Sequence, residues 1–371
     1  MTKAPGTQAL QIFAGPRARA RLAERGLSPG DVSVIPAAAG GPKGLVLNAL
    51  DQYLFGDWLP RSTQEVHLVG ASIGAWRMAT ACMTRNGADV QREFDRLAKD
   101  YAHQRYDDDS GRRSSKTRPD AATVTRGFKA KLDEVFKGHE AEVLSHPRLR
   151  LHVFTTRGRH LLRREGRLRT PLGYTGAFAA NALARRAMGG WLERVVFSDP
   201  RAKLPVPLHD YRTHAVALAA DNLLDSVLAS CSIPFWLQAV HDIPGAPRGA
   251  YWDGGITDYH LHLDYAAMSG DALVLYPHFQ RQVIPGWLDK PFRGRHRATP
   301  FLDNVVVLAP NPAWIATLPN AKLPDRNDFT LYGDDVDARA RDWLRAVGEG
   351  RRLADEFAAA CEHSSIEALP L

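Results

Sequence analysis

The sequence predicts an α/β fold with a mainly parallel central sheet flanked by helices. Three observations carry that expectation. A strand, a glycine turn and a helix are written twice within the first hundred residues. Short apolar runs bounded by Gly, Pro or Asp return in the second half of the chain. The 371 residues, 44% hydrophobic and 24% charged, also supply enough apolar material for a large core, which a disordered chain lacks.

In chain order, residues 17–25 read as a short helix. Residues 32–39 are a compact apolar run that ends in Gly40-Gly41-Pro42-Lys43-Gly44. Leu45, Leu47, Leu50, Leu54 and Trp58 then give residues 45–59 a helical period. Residues 65–69 are a second strand, ending in Gly70-Ala71-Ser72-Ile73-Gly74, and residues 75–84 continue as a helix. Residues 107–120 hold three consecutive aspartates followed by Arg112, Arg113, Lys116 and Arg118, which predicts an exposed loop. Residues 121–144 look helical and residues 149–155 form a strand. A basic stretch over 157–169 follows, then a small, apolar and aromatic one over 172–191. A strand at 216–219, a helix at 222–230 and short strands at 250–253, 272–276 and 304–308 restore the rhythm. Residues 335–361 are a long amphipathic helix or helix pair. No linker divides the chain. The expectation is one α/β domain over 1–371, with a helical, basic insertion at 101–215 and a helical C-terminal segment at 335–362.

Charge and composition narrow the function classes. A net charge of +7 and a pI near 9.4 favour anionic partners: phospholipid headgroups, nucleic acid or an acidic protein. The same excess also reads as a solvated basic surface. No nucleic-acid motif is present, so no specific nucleic acid is expected as a partner. Arginines interleaved with Leu161, Leu162, Leu168, Phe178 and Trp191 across residues 157–191 suit a lid or peripheral contact with an anionic membrane, or simply a solvated face. Residues 1–11 lack the charged-then-apolar plan of a signal peptide. No run approaches the roughly 18–20 apolar residues of a membrane span. Cys82, Cys231 and Cys361 are too widely spaced for a disulfide framework or a zinc ribbon. The expected setting is the cytoplasm, at most peripheral to a membrane.

Three motifs carry chemistry. Gly70-Ala71-Ser72-Ile73-Gly74 stands between a strand and a helix, where a tight turn lifts the Ser72 hydroxyl above the sheet. The helix that follows aims its free amides at the same spot, which favours a developing anion. Gly40-Gly41-Pro42-Lys43-Gly44 ends the first strand and offers unshielded backbone N–H groups at Gly40, Gly41 and Lys43, since Pro42 has none. It is not a Walker A loop, because Gly-Lys-Ser/Thr is absent. Ala39 stands where a dinucleotide fingerprint needs glycine. Asp253-Gly254-Gly255 closes a short apolar run, so its carboxylate can reach into a cleft and serve as a base for a serine hydroxyl, or merely open a glycine turn. His260, His262 and His278 follow Asp253 and Asp258 in the order of a Ser-Asp-His triad, and that alternative stays open on sequence. His67 reads as structural. The His260-x-His262 pair near Asp258 or Asp264 lacks the further ligands of a metal site, so no metal is expected.

Taken together, these motifs resemble the patatin-like phospholipases. Gly-Gly-x-Lys-Gly comes first, Gly-x-Ser-x-Gly next and Asp-Gly-Gly far downstream, and Ala229-Ser230-Cys231-Ser232-Ile233-Pro234 is similar to the family's Ala-Ser-x-x-x-Pro segment. The resemblance spans residues 30–260, and Ala39 departs from the usual leading glycine of the first motif. It implies a three-layer patatin-like fold and hydrolysis of phospholipid or related lipid esters by a Ser-Asp dyad, with no cofactor. It assigns Ser72 as nucleophile, Asp253 as base, and Gly40, Gly41 and Lys43 as the oxyanion hole, with Gly44, Gly70, Gly74, Gly254 and Gly255 supporting the turns. A carboxylesterase or thioesterase of smaller substrates, or a silent lipid-binding protein, are the alternatives.

Overall fold

The computed structural model describes residues 7–105, 120–210 and 212–371. Among them, eleven strands share one sheet. They are β1 (Leu10–Ala14), β2 (Val32–Ala37), β3 (Val66–Ala71), β4 (Leu149–Gly158), β5 (Leu192–Ser198), β6 (Thr213–Ala217), β7 (Val240–His241), β8 (Ala250–Asp253), β9 (Leu273–Pro277), β10 (Val305–Pro310) and β11 (Leu369–Pro370). The order runs β11-β1-β10-β9-β2-β3-β4-β5-β6, with β8 added on β4 and β7 on β8.

From β10 through β4 every pairing is parallel. All six residues of β3 are buried, and β2 is buried except at Ser33. Strands covered by helices on both faces lose the polar alternation of a half-exposed sheet, which is why these two read as plain apolar runs. The fold is therefore α/β with a mainly parallel central sheet.

The helices fall where the periodicity puts them, with differences of pitch. Pro16–Arg25 and Ile73–Met83 are regular. The segment after β2 winds as a 3₁₀ turn over Gly41–Leu47, an α-helix over Asn48–Tyr53 and a π turn over Leu54–Trp58. The span 121–144 divides into helices Ala121–Phe136 and Glu140–Leu144. Asp120 caps the first, its carboxylate accepting from the Thr123 N–H at 2.9 Å. The rest of the expected exposed loop at 107–120 lies outside the described residues. Two helices, Val336–Glu349 and Arg351–Cys361, occupy the C-terminal span.

The window 101–215 is not separate from the sheet. It supplies β4, which lies between β3 and β5, as well as β5 and β6. Charges hide β5 in the sequence. Glu193 and Arg194 interrupt its apolar run, yet both are buried, because Glu193 accepts from Arg157 and Arg194 donates to Asp258 at 2.8 Å.

One feature of the pairing builds the site. β3 runs parallel to β4 and reaches Phe154, opposite Ala71. β8 runs antiparallel to β4 and ends with Asp253 opposite Thr155. β5 holds β4 residues 152–158, so β3 and β8 share the remaining edge. The two strands run head to head along it and stop at adjacent residues of β4.

Candidate active site

Ser72 follows β3 and Asp253 ends β8, so the head-to-head arrangement brings them together. The Ser72 hydroxyl donates to Asp253 Oδ2 at 2.7 Å, and the Gly255 N–H donates to Oδ1 at 2.7 Å. Both residues are buried and line one cleft with Gly40 and Lys43.

Ser72 adopts φ 56° and ψ −130°, a conformation rare for any residue with a side chain. The flanking glycines make the turn feasible. A Cβ on Gly74 would stand 1.9 Å from the Ala37 carbonyl oxygen, and one on Gly70 would stand 2.5 Å from the Ala75 Cα. The turn is thus packed into the end of β2 and into its own helix, leaving the hydroxyl to project. Gly254 is equally crowded, against the Phe154 carbonyl.

The segment Ala229–Pro234 ties both sides. Ser230 Oγ accepts from the Ser72 N–H at 2.9 Å and donates to the Phe154 carbonyl at 2.7 Å. The Asp253 N–H donates to the Ser232 carbonyl at 2.9 Å. Ile233 and Pro234 continue into the cleft wall. Ser230 holds the turn from behind, a role that its place in the motif does not reveal.

Burial pushes the Asp253 carboxyl up to about 6, against the Ser72 hydrogen bond, the Arg326 charge and the Gly255 N–H, which all favour the anion. A carboxylate of that basicity, in contact with a hydroxyl, can take its proton near neutral pH.

The glycine loop lies across the cleft. Gly40 is packed under the Phe279 ring, and Lys43 faces the cavity. Gly41, buried with φ +56°, lies under Arg326, whose Nε would stand 3.3 Å from a Cβ there. The Ala39 N–H is committed to the Tyr259 carbonyl at 2.9 Å, and its methyl fills the space that the absent side chain of Gly255 leaves. Alanine at 39 and glycine at 255 are complementary.

Among the described residues no histidine lines the cleft or bonds to Ser72 or Asp253. His260 is fully buried, stacked on Tyr259 at 4.2 Å, and burial holds its pKa well below the ordinary imidazole value. His262 Nδ1 lies 2.9 Å from the Val283 carbonyl, and His278 is buried edge-on to His260. Asp258 is paired with Arg194. His67 stacks on His152, their nitrogens 2.9 Å apart.

Motif reading misses the outer wall. Trp287, Lys290 and Arg326 line the same cleft, from segments with no recognisable pattern. The Lys290 ammonium stands 4.0 Å over the Tyr259 ring, and loss of hydration together with the charges of Arg326 and Lys43 pulls its pKa down to about 8. On the opposite side of Ser72 an apolar pocket opens between Val124, Phe128, Trp236, Leu237 and Phe329.

Comparison with known proteins agrees with the α/β sheet. No curated protein matches the chain. The profile of the patatin-like phospholipases matches residues 66–261, more than half of the sequence, from β3 past the Asp253 motif. With that match across the strand, the serine turn and the aspartate end of β8, this chain belongs to the patatin-like phospholipases, a family of lipid acyl hydrolases.

Proposed function

We propose that the whole chain acts as one α/β catalytic unit that cleaves carboxylic esters of lipids through Ser72 and Asp253. The observation that carries this reading is the 2.7 Å hydrogen bond from a strained, buried serine to a carboxylate raised to about 6. Asp253 accepts the Ser72 proton as Oγ bonds to the ester carbon. Backbone N–H groups of the loop at Gly40, Gly41 and Lys43 stabilise the oxyanion. The ester C–O bond breaks and the alcohol leaves with the proton from Asp253. Water then attacks the acyl-enzyme, gives its proton to Asp253 and releases the fatty acid, and the proton returns to Ser72.

The setting we propose is cytoplasmic, with contact at an anionic membrane through helix Arg169–Leu183. Among the described residues no helix is long and apolar enough to cross a membrane. Leu168, at the N-cap of this helix, and Leu172 and Leu183 on it are 79%, 61% and 87% exposed. Arg163, Arg164, Arg167, Arg169 and Arg186 flank them in the sequence, and Glu165 is the only acid between residues 157 and 192. Apolar side chains rimmed by arginine suit insertion among anionic headgroups.

Hydrolysis of p-nitrophenyl esters of graded chain length tests the chemistry. Ser72→Ala is expected to lose at least about a thousandfold in kcat and Asp253→Asn about 10²–10⁴-fold, with the longer chains preferred. Full activity in either variant, or an equal loss in His260→Ala, overturns the dyad. An inactive wild type overturns the enzyme reading in favour of a lipid-binding protein.

A further inference from the structure

Three cations meet in the cleft beside Ser72. Lys43 comes from the glycine loop, Lys290 follows the turn Trp287–Asp289, and Arg326 precedes helix Asn327–Tyr332. Lys290 and Arg326 lie outside the span that matches the family.

Among the described residues the neighbouring acids are engaged elsewhere. Asp289 is fully buried and accepts from Arg185 at 2.8 Å, Arg295 at 2.7 Å and Asn181 at 2.9 Å. Asp325 itself lines the cleft, and its Oδ1 takes Lys322 Nζ and the Asn327 N–H, each at 2.8 Å. Asp328 takes Trp343 Nε1 at 2.8 Å and Lys322 Nζ at 2.6 Å. These contacts fix the two segments that carry Lys290 and Arg326 while leaving the cations themselves facing the cavity. Asp253 already accepts from Ser72 and Gly255.

Three cations against the two carboxylates Asp253 and Asp325 leave the cleft with an excess of positive charge that a bound anion would complete. The apolar pocket shares Ser72, Ile233 and Arg326 with the cleft. Ser72 and Arg326 therefore stand at a seam, with mostly hydrocarbon surroundings on one side and Lys43 and Lys290 on the other. An ester seated on Ser72 with its acyl chain in the apolar pocket directs its alcohol portion toward Lys290 and Arg326.

We propose that the ester this cleft takes carries a phosphate or carboxylate on its alcohol side, a few bonds from the scissile carbonyl, and that Lys43, Lys290 and Arg326 bind that anion. This inference rests on Ser72 being the nucleophile. It selects within the ester class. Among the described residues both carboxylates of the cleft, Asp253 and Asp325, already hold partners and are outnumbered by the three cations, so an ester ending in a bare phosphate is preferred over a zwitterionic one and over a neutral one. The anion belongs either to a membrane lipid or to a soluble acyl ester.

The test uses the full chain and neutral detergent micelles of fixed composition. The substrates are 1-oleoylglycerol 3-phosphate, 1-oleoylglycerophosphocholine and 1-oleoylglycerol, with butyrylglycerol phosphate as the soluble arm. The wild type is expected to favour the bare phosphate by kcat/KM. Lys290→Gln and Arg326→Gln are each expected to lower the ratio of phosphate ester to neutral ester about tenfold, through KM. A ratio near one in the wild type, or one that neither variant changes, overturns the proposal. Thermal midpoints verify folding, and either single variant suffices. Turnover of the oleoyl phosphate alone assigns the anion to a lipid, and equal turnover of the butyryl ester assigns it to a soluble compound. If the wild type cleaves nothing, the catalytic reading fails and binding decides the anion site. Ser72→Ala protein is titrated with oleoylglycerol phosphate and with oleoylglycerol. Tighter binding of the phosphate supports the site, and equal affinity overturns it.

Discussion

The two walls of the cleft are built on different principles. The inner wall, with Ser72, Asp253 and the glycine loop, is held by backbone. Its glycines touch neighbouring main chain so closely that a methyl would collide at Gly74 and Gly254, and Ser230 bonds both the turn and β4. The outer wall, with Lys290 and Arg326, is held one or two residues away from its functional groups, through the buried Asp289 and Asp328. Chemistry at the inner wall needs reacting atoms fixed within a hydrogen bond's length. Recognition at the outer wall needs charge at the correct height, and a long side chain on an anchored turn supplies it. A family can keep the first wall and vary the second without disturbing the sheet.

The contrast makes its strongest prediction beneath the inner wall. Arg77, on the helix that starts at Ser72, forms a two-bond pair with Asp51, both bonds 2.7 Å and both residues buried. Asp51→Asn leaves an uncompensated buried charge and is expected to cost about 3–5 kcal/mol, read by urea unfolding. A loss under 1 kcal/mol shows that the helix is held by packing alone. The next effect is in pH. Asp253 must be ionised to accept a proton, so kcat/KM should rise through about pH 6 and level off above it. Two units below that midpoint the rate is about a hundredfold lower. A midpoint near 4 removes the carboxylate from the role assigned to it. Ser230→Ala strands the Ser72 N–H and the Phe154 carbonyl. It should lower kcat about tenfold with little change in KM, whereas a change in KM alone moves Ser230 to substrate binding.

The smallest effect belongs to the outer wall. Helix Arg169–Leu183 supplies Asn181 to Asp289, so the helix beside the exposed leucines is tied to the Lys290 turn. Leu172→Glu should weaken sedimentation with phosphatidylglycerol vesicles several-fold, by about 1 kcal/mol or more, with the thermal midpoint unmoved. Undiminished binding, or equal binding to neutral phosphatidylcholine vesicles, removes the helix from the membrane contact.

The same contrast explains what the sequence reveals. Gly-x-Ser-x-Gly and Asp-Gly-Gly are legible because crowded backbone admits only glycine there. β2 and β3 are legible because burial on both faces leaves only apolar residues. β5 is concealed by Glu193 and Arg194, whose partners Arg157 and Asp258 lie far away in sequence. That is also why residues 101–215 look like an addition rather than three strands of the sheet. Lys290 and Arg326 are concealed for another reason. Nothing distinguishes a lysine over Tyr259 or an arginine over Gly41 from any surface cation until the chain has folded. The competing triad is weighed in geometry only, where His260 stacks on Tyr259 inside the protein and does not line the cleft.

The strand order has a practical consequence for anyone dividing this protein. A piece cut to residues 66–261 would lack β1, β2, β9, β10 and β11, which all lie on one flank of β3. It would expose as a bare edge a strand whose six residues are all buried in the intact sheet. Such an edge is a template for pairing with another chain. The truncated piece would be expected to associate edge to edge and collect as insoluble aggregate, so useful cut sites follow the sheet and not the recognised family span.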